Sequence, residues 1–142
     1  MISVRKAKTL SDFIDAVRLR AQVFIVEKGF APGWEPDEDD KKATHFIASI
    51  GGKAVGTCRL RQEKPRQFKI ERLAVAKEFR KHGAGKALVK AAVREALKKK
   101  PKRVWARCYR PAQKFWESCG FVVASKPYGA YGKKHIDLKY PV

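Results

Sequence analysis

Acidic residues are the first shortage in this chain of 142 residues: 14 Asp and Glu stand against 33 Lys and Arg, a formal charge of +19. Long apolar runs are also missing. Stretches such as Ala91-Ala92-Val93 fall far short of the roughly 20 apolar residues that cross a bilayer, and Met1-Ile2-Ser3-Val4-Arg5-Lys6 has no apolar signal-peptide core. Both absences point to a cytoplasmic protein with no membrane partner. Cysteine is scarce too. Cys58, Cys108 and Cys119 are odd in number and lack CxxC spacing, so neither a disulfide framework nor a zinc site is indicated, and no metal site is expected. They read as reduced, packed thiols. There is no internal repeat, linker or low-complexity segment. Apolar material is ample: 44% hydrophobic residues, with 11% aromatics, are enough for one core. The length fits a single domain over 1–142, since domains commonly run to about 100–150 residues.

The positive surplus concentrates anions around the molecule, which suits nucleic acid, an anionic membrane surface or a phosphorylated cofactor. Its distribution narrows the choice. Five of the acids fall within Glu35-Pro36-Asp37-Glu38-Asp39-Asp40, a loop that a nucleic-acid surface would avoid. The densest basic run, Lys98-Lys99-Lys100-Pro101-Lys102-Arg103, ends a helical segment, where cations interact favourably with the helix dipole. A solvated helix terminus accounts for it without a nucleic-acid partner.

Residues 2–7 alternate as an edge strand. From Ser11 onward, Phe13, Ile14, Val17, Ala21, Phe24 and Ile25 recur at three- and four-residue intervals, the stripe of an amphipathic helix with Ser11 or Asp12 as N-cap. Gly29, Pro32, Gly33 and Pro36 make residues 28–42 a long irregular loop. Strands at 44–50 and 53–61 join through Gly51-Gly52, a pair that tolerates the positive φ of a tight hairpin turn. A turn at Lys64-Pro65-Arg66 leads into a third strand at 67–76. Leu88, Val89, Ala92, Val93, Ala96 and Leu97 then form a helical stripe that begins just after Gly83-Ala84-Gly85 and ends before Pro101; the strand Val104–Tyr109 follows. Strand, glycine-bearing turn, helix and strand make a βαβ unit, so the pattern predicts that strand 104–109 lies parallel to strand 67–76. Pro111 opens a short helix ended by Gly120, and strands near 121–126 and 134–140 complete the chain. The fold class is α/β (α+β): a mixed, mostly antiparallel central sheet with a βαβ core and flanking helices.

Arg80-Lys81-His82-Gly83-Ala84-Gly85-Lys86 joins a strand to a helix. Backbone N–H groups at a helix start point outward without partners, and the dipole adds positive potential, so the place favours phosphate oxygens. Glycines let the backbone approach a ligand closely. The loop is neither GxxxxGK[ST] nor GxGxxG. Its flanking bases oppose the dipole, and an anion would justify them.

Arg80-x-x-Gly83-x-Gly85 resembles the R/Q-x-x-G-x-G/A acetyl-CoA signature of the GNAT N-acetyltransferases, with Ile70-Glu71-Arg72-Leu73-Ala74-Val75 before it and a long helix after. Ala112-x-x-Phe115-Trp116-Glu117-x-x-Gly120-Phe121 is similar to the family's A-x-x-[FL]-Y-E-x-x-G-F helix. The two motifs stand in the family's order, and the element order covers the whole chain. Arg20-x-x-Val23-Phe24-x-x-Glu27, Asp37-x-x-Asp40 and His45 are similar to the ElaA-like branch of predicted acyltransferases. An arginine–phenylalanine helix, an acidic loop and a later arginine, here Arg59, also resemble the acyl-homoserine-lactone synthases, whose chains are usually longer.

The resemblance implies a GNAT fold and an N-acetyltransferase that uses acetyl-CoA as acyl donor, with direct attack by a primary amine in a ternary complex. It implies cofactor contacts at Leu73, Ala74 and Val75 along the central strand, and at Arg80, Lys81, His82, Gly83, Ala84, Gly85 and Lys86 around the pyrophosphate. It also assigns the Val75 N–H to polarise the thioester carbonyl. Amine acylation needs a neutral amine, a polarised carbonyl and an acid for the departing thiolate. Glu71 is the leading base, since it shares a strand face with Leu73 and Val75; an ion pair with a neighbouring base is the competing reading. Trp116 stands where many family members have an acidic tyrosine, and its indole N–H is far too weak an acid. Tyr109, Cys108, Tyr128 and Tyr131 are the candidates to replace it, Tyr109 first among them.

The acidic loop reads as the substrate side. Asp37 and Asp40 would attract a small-molecule or peptide amine, Trp34 would offer a cation–π surface, and His45 would be a second base, against the alternative of a solvated charged face. A homodimer is compatible with the sequence. Two other functions remain: an acyltransferase using a longer acyl-CoA or an acyl-carrier protein, and a non-catalytic, basic nucleic-acid-associated module.

Overall fold

Strand-forming segments flank a helix and a loop in the first half of the chain, and in a computed structural model describing residues 1–142 these segments pair into an antiparallel meander. Its strands are β1 (Ile2–Lys6), β2 (Thr44–Ile50), β3 (Lys53–Lys64) and β4 (Gln67–Val75). Gly51 and Gly52 take φ of +57° and +80° between Ile50 and its partner Lys53, the two-residue turn expected of a glycine pair. β5 (Arg103–Tyr109) runs parallel to β4, completing the βαβ unit, and β8 (Lys133–Lys139) runs antiparallel to β5. The short β6 (Val122–Val123) and β7 (Tyr128–Ala130) both pair with β8, giving the order β1-β2-β3-β4-β5-β8-β6. The mixed, mostly antiparallel sheet with flanking helices is as the sequence pattern predicts.

Helices cover both faces, and the strand alternation decides which residues meet which. α2 (Ala84–Leu97) presents Leu88, Val89, Ala92, Val93 and Ala96 to a core built with Val55, Cys58, Leu60, Ile70, Val104 and Leu138. On β3, Cys58 and Leu60 join that core, whereas Arg59 points to the other face and meets the region of α1 (Leu10–Arg20). The N-cap of α1 is Thr9, not Ser11 or Asp12: its Oγ1 accepts the Asp12 N–H at 3.1 Å. The stripe continues past Arg20 as a π-helical segment, Ala21–Glu27. Residues 28–42 hold two 3-10 turns, Pro32–Trp34 and Glu38–Lys41. α3 (Gln113–Ser118) is short and ends at Gly120, whose φ is +93°. The tail differs from expectation, because Tyr131-Gly132 forms a further two-residue turn that folds β7 back on β8. Cys58 and Cys108 are buried. No helix is long and apolar enough to cross a membrane.

One irregularity shapes everything that follows. β4 pairs with β5 only from Gln67↔Arg103 to Lys69↔Trp105, and beyond that point the parallel strands part. On the opposite edge of β4 the register slips: Arg59 faces Glu71 while Thr57 faces Ala74, so β4 carries one residue more than β3. Such a bulge bends its strand. Arg72 occupies it with φ of +53°, a conformation that non-glycine residues rarely adopt.

Candidate active site

The parted strands open onto two connected cavities. The first, about 620 Å³, is walled by Leu73, Ala74 and Val75 on one side and by Arg80, Lys81, Gly83, Ala84, Gly85 and Lys86 on another. The loop turns inward because Lys81 and Gly83 take φ of +67° and +90°. None of the N–H groups of residues 81–86 donates to a carbonyl in the turns and loops, so several converge at the start of α2 without protein partners. Space here depends on a missing side chain: a Cβ at Gly85 would stand 3.3 Å from Phe115 Cζ. The Ala76 N–H donates to Val55 O at 2.9 Å, and strand alternation therefore turns the polar groups of Val75 away from β3, toward the gap.

Two expectations for this loop need correction. His82 is exposed and does not line the groove. Arg80 lines it, but its guanidinium is held by Glu27, with Nη1 and Nη2 each 2.6 Å from a carboxylate oxygen, while Nε donates to Val75 O at 2.9 Å. Arg80 thus ties the loop to the π-helical segment and to the end of β4.

The second cavity, about 540 Å³, meets the first at Lys28, Leu73, Ala112 and Phe115. Aromatic rings form one wall. Phe30 stacks on Trp34 at 4.9 Å, Trp34 meets Tyr131 edge-on at 5.1 Å, and Tyr131 and Tyr109 lie 5.9 and 6.1 Å from His135. Trp34 and Tyr109 both line this cavity, Tyr109 at the open end of β5 and 40% exposed. Trp116 is buried against Phe115 and Phe121. Tyr128 lines neither cavity; its hydroxyl donates to Asp137 and accepts from Arg107 Nε at 2.6 Å, and burial followed by the Asp137 contact raises it to about 12.

The acidic loop does something other than meet a substrate. Arg20, fully buried, bonds Glu35 at 2.7 and 2.8 Å and Asp40 at 2.9 Å through two contacts. Arg59, also buried, bonds Asp37 at 2.6 Å, Asp40 at 2.8 Å and Glu71 at 2.5 Å. Arg72 reaches Glu35 at 3.1 Å and Asp37 at 3.0 Å, with its guanidinium 5.1 Å from the Trp34 ring centre. Asp37 and Asp40 are consequently internal counter-ions and line neither cavity. Burial alone would raise the Asp40 carboxyl, yet hydrogen bonds from Arg20 and Arg59 hold it well below the usual carboxylate range. His45 is buried as well, packed edge-on against Phe13 at 5.2 Å with Nε2 donating to Asp40 O at 3.1 Å. Burial lowers its pKa, and it lines neither of the two cavities.

Glu71 lines the second cavity, but its carboxylate is already occupied. Arg61 Nε at 2.7 Å, Lys69 Nζ at 3.2 Å and Arg59 surround it. Burial opposes ionisation, and the Arg61 hydrogen bond with the charges of Arg59 and Lys69 outweighs it, lowering the group to about 2. A carboxylate so stabilised has little affinity for an amine proton. The ion-pair reading is the one this geometry favours.

His135 is the group the sequence reading missed. Its Nδ1 lies 3.0 Å from Lys133 O, which only accepts, so Nδ1 carries the hydrogen and Nε2 the free lone pair in the neutral ring. The Tyr109↔His135 register sets it beside Tyr109 at the cavity. The Tyr131-Gly132 turn, a glycine dipeptide before an alternating run, was the one local clue.

A sheet that parts beside a bulged central strand, over a phosphate-ready helix start, is an acyltransferase frame. The sequence model of the acetyltransferase (GNAT) family matches residues 13–121, and the chain belongs to that family. Among curated relatives, the Bacillus subtilis protein YjcF, named an uncharacterized N-acetyltransferase, is 28% identical over 133 residues, which cover 93% of this chain and 94% of YjcF. Among solved structures, Escherichia coli ElaA superposes with a TM-score of 0.86 at 22% identity, covering 99% of this chain and 100% of its own. A GNAT family acetyltransferase from Elizabethkingia anophelis with acetyl-CoA bound gives 0.71 at 14% identity, covering 99% and 98%. At these identities the two structures speak for the fold.

Proposed function

We propose that the protein transfers an acetyl group from acetyl-CoA to a primary amine by direct attack in a ternary complex. The observation that carries this reading is the groove between β4 and the start of α2, where unpartnered N–H groups, Lys81, Lys86 and the Gly85 clearance fit a diphosphate and a narrow arm. Acetyl-CoA supplies the activated thioester when bound.

The chain's own groups divide the remaining work. Lys81, Lys86 and the N–H groups of residues 81–86 hold the phosphates. Leu73, Ala74 and Val75 offer a strand edge, and the Val75 N–H donates to an oxygen placed in the gap. His135 Nε2 accepts the amine proton, directly or through water, and the Tyr109 hydroxyl donates one at the open end of β5. Glu71 acts as a positioning residue by holding Arg59, Arg61 and Lys69. Calorimetric titration with acetyl-CoA, followed by free-thiol release on adding amines, tests the reading. Saturable binding and amine-dependent thiol release are expected; absence of acetyl-CoA binding overturns it.

A further inference from the structure

Resting on the acetyltransferase reading, we infer that the second cavity selects an amine whose body is aromatic or apolar and which carries an anionic group, a carboxylate or a phosphate. A polycationic amine is the opposite of what this cavity fits. The inference comes from which charges around the cavity are already used. Two carboxylates line it. Glu27 is clamped by Arg80 at 2.6 Å through both oxygens, and Glu71 is held by Arg59, Arg61 and Lys69. The nearby Asp137 accepts from Tyr128 and lies 3.9 Å from Arg107. No carboxylate is left for a second ammonium group.

The cations divide differently. Lys69, Arg72 and Arg107 have anionic or phenolic partners, but Lys28 and Lys133 line the cavity with no ion pair. Lys133 lies 4.8 Å over the Tyr109 ring, beside the end of the wall formed by Phe24, Phe30, Trp34, Tyr131, His135 and Tyr109. Lys28 borders both cavities. Rings favour a planar or apolar body, and unpaired ammonium groups beside them favour an anion that they can bond with charge assistance.

Matched amines test this: tryptamine against tryptophan, phenethylamine against 4-(2-aminoethyl)benzoate, tyramine against its O-phosphate, and spermidine. The two carboxylates and the phosphate distinguish the anion and its distance from the amine. Expected is a kcat/KM at least about tenfold higher for an anionic member than for its neutral parent, the size of one charge-assisted contact. Lys133→Gln is expected to erase most of that advantage through KM, and Lys133→Arg to restore it. An acetyl-CoA Kd within about twofold of wild type certifies that each variant is folded. Spermidine or the neutral amines matching or exceeding every anionic partner would overturn the inference while leaving acetyl transfer standing. Loss of acetyl-CoA binding in the wild type would instead remove the reading on which it rests.

Discussion

Replacing Glu71 by Gln separates two roles that the same carboxylate could play. As the proton acceptor, its loss would abolish the pH-dependent rise of kcat/KM and leave stability almost untouched. As the anion that holds Arg59, Arg61 and Lys69, its loss should do the reverse. The structure sets the size. The carboxyl is lowered from an ordinary 4.5 to about 2, and a difference of that order corresponds to about 3 kcal/mol of differential stabilisation of the charged form. Its side chain is 9% exposed, so solvent screening removes little of it. Arg59 retains Asp37 and Asp40 after the substitution, which keeps the cost near the lower end of the 3–5 kcal/mol typical when one partner of a buried pair is removed.

The sign follows from the lowered pKa. A carboxyl whose folded pKa lies below its unfolded one stabilises fully above about 4.5 and loses that contribution as pH falls toward about 2. Urea unfolding of wild type and Glu71→Gln should therefore differ by about 3 kcal/mol at pH 7 and by only about 1 kcal/mol at pH 3. The pH profile of kcat/KM should keep its shape in the variant. Equal stability at pH 7, together with a vanished rise of kcat/KM with pH, would refute the positioning role and return Glu71 to the base.

Four further substitutions at three positions probe the groove, the cavity and the bulge. Gly85→Val should abolish acetyl-CoA binding by calorimetry while near-UV circular dichroism stays native, because its side chain enters the space before Phe115. His135→Gln should lower kcat by about 100-fold at neutral pH with the acetyl-CoA Kd unchanged; an undiminished kcat would remove Nε2 from the proton path. Arg72→Ala should destabilise by about 2 kcal/mol in urea, since Glu35 and Asp37 each lose one charge-assisted bond while keeping Arg20 and Arg59. Arg72→Gly should cost less, because glycine adopts a φ of +53° without strain.

Much of the fold was legible because its signals are local. Gly51-Gly52 marks a hairpin, the Leu88–Leu97 stripe marks a helix, and the order of strand, turn, helix and strand constrains the crossover. The loop beside the first cavity was legible for the same reason, since Arg80 to Lys86 is one continuous segment. The second cavity was not. His135 reaches its cavity through pairing with a strand about 26 residues away in sequence, and nothing near it in the chain announces that partner. The acidic run misled for a related reason. Its counter-ions, Arg20, Arg59 and Arg72, come from a helix and two strands, so a run that reads as a solvated or substrate-facing patch becomes the interior of an ion cluster.

That cluster gives the scarce acids a purpose connected to chemistry. Glu35 and Asp37 bond Arg72, the one residue in β4 with left-handed backbone geometry, and Trp34 stacks on its guanidinium. A left-handed non-glycine residue costs on the order of 1–3 kcal/mol and persists only where its surroundings over-determine it. Two charge-assisted bonds and a cation–π contact are of that magnitude together. The bulge they hold shifts β4 by one residue against β3, just before the stretch Leu73 to Val75 where β4 has left β5. The acidic loop thus braces the bulge beside the opening in which the two cavities meet, and because its carboxylates are spent on that task, the second cavity is left with Lys28 and Lys133 outside any ion pair.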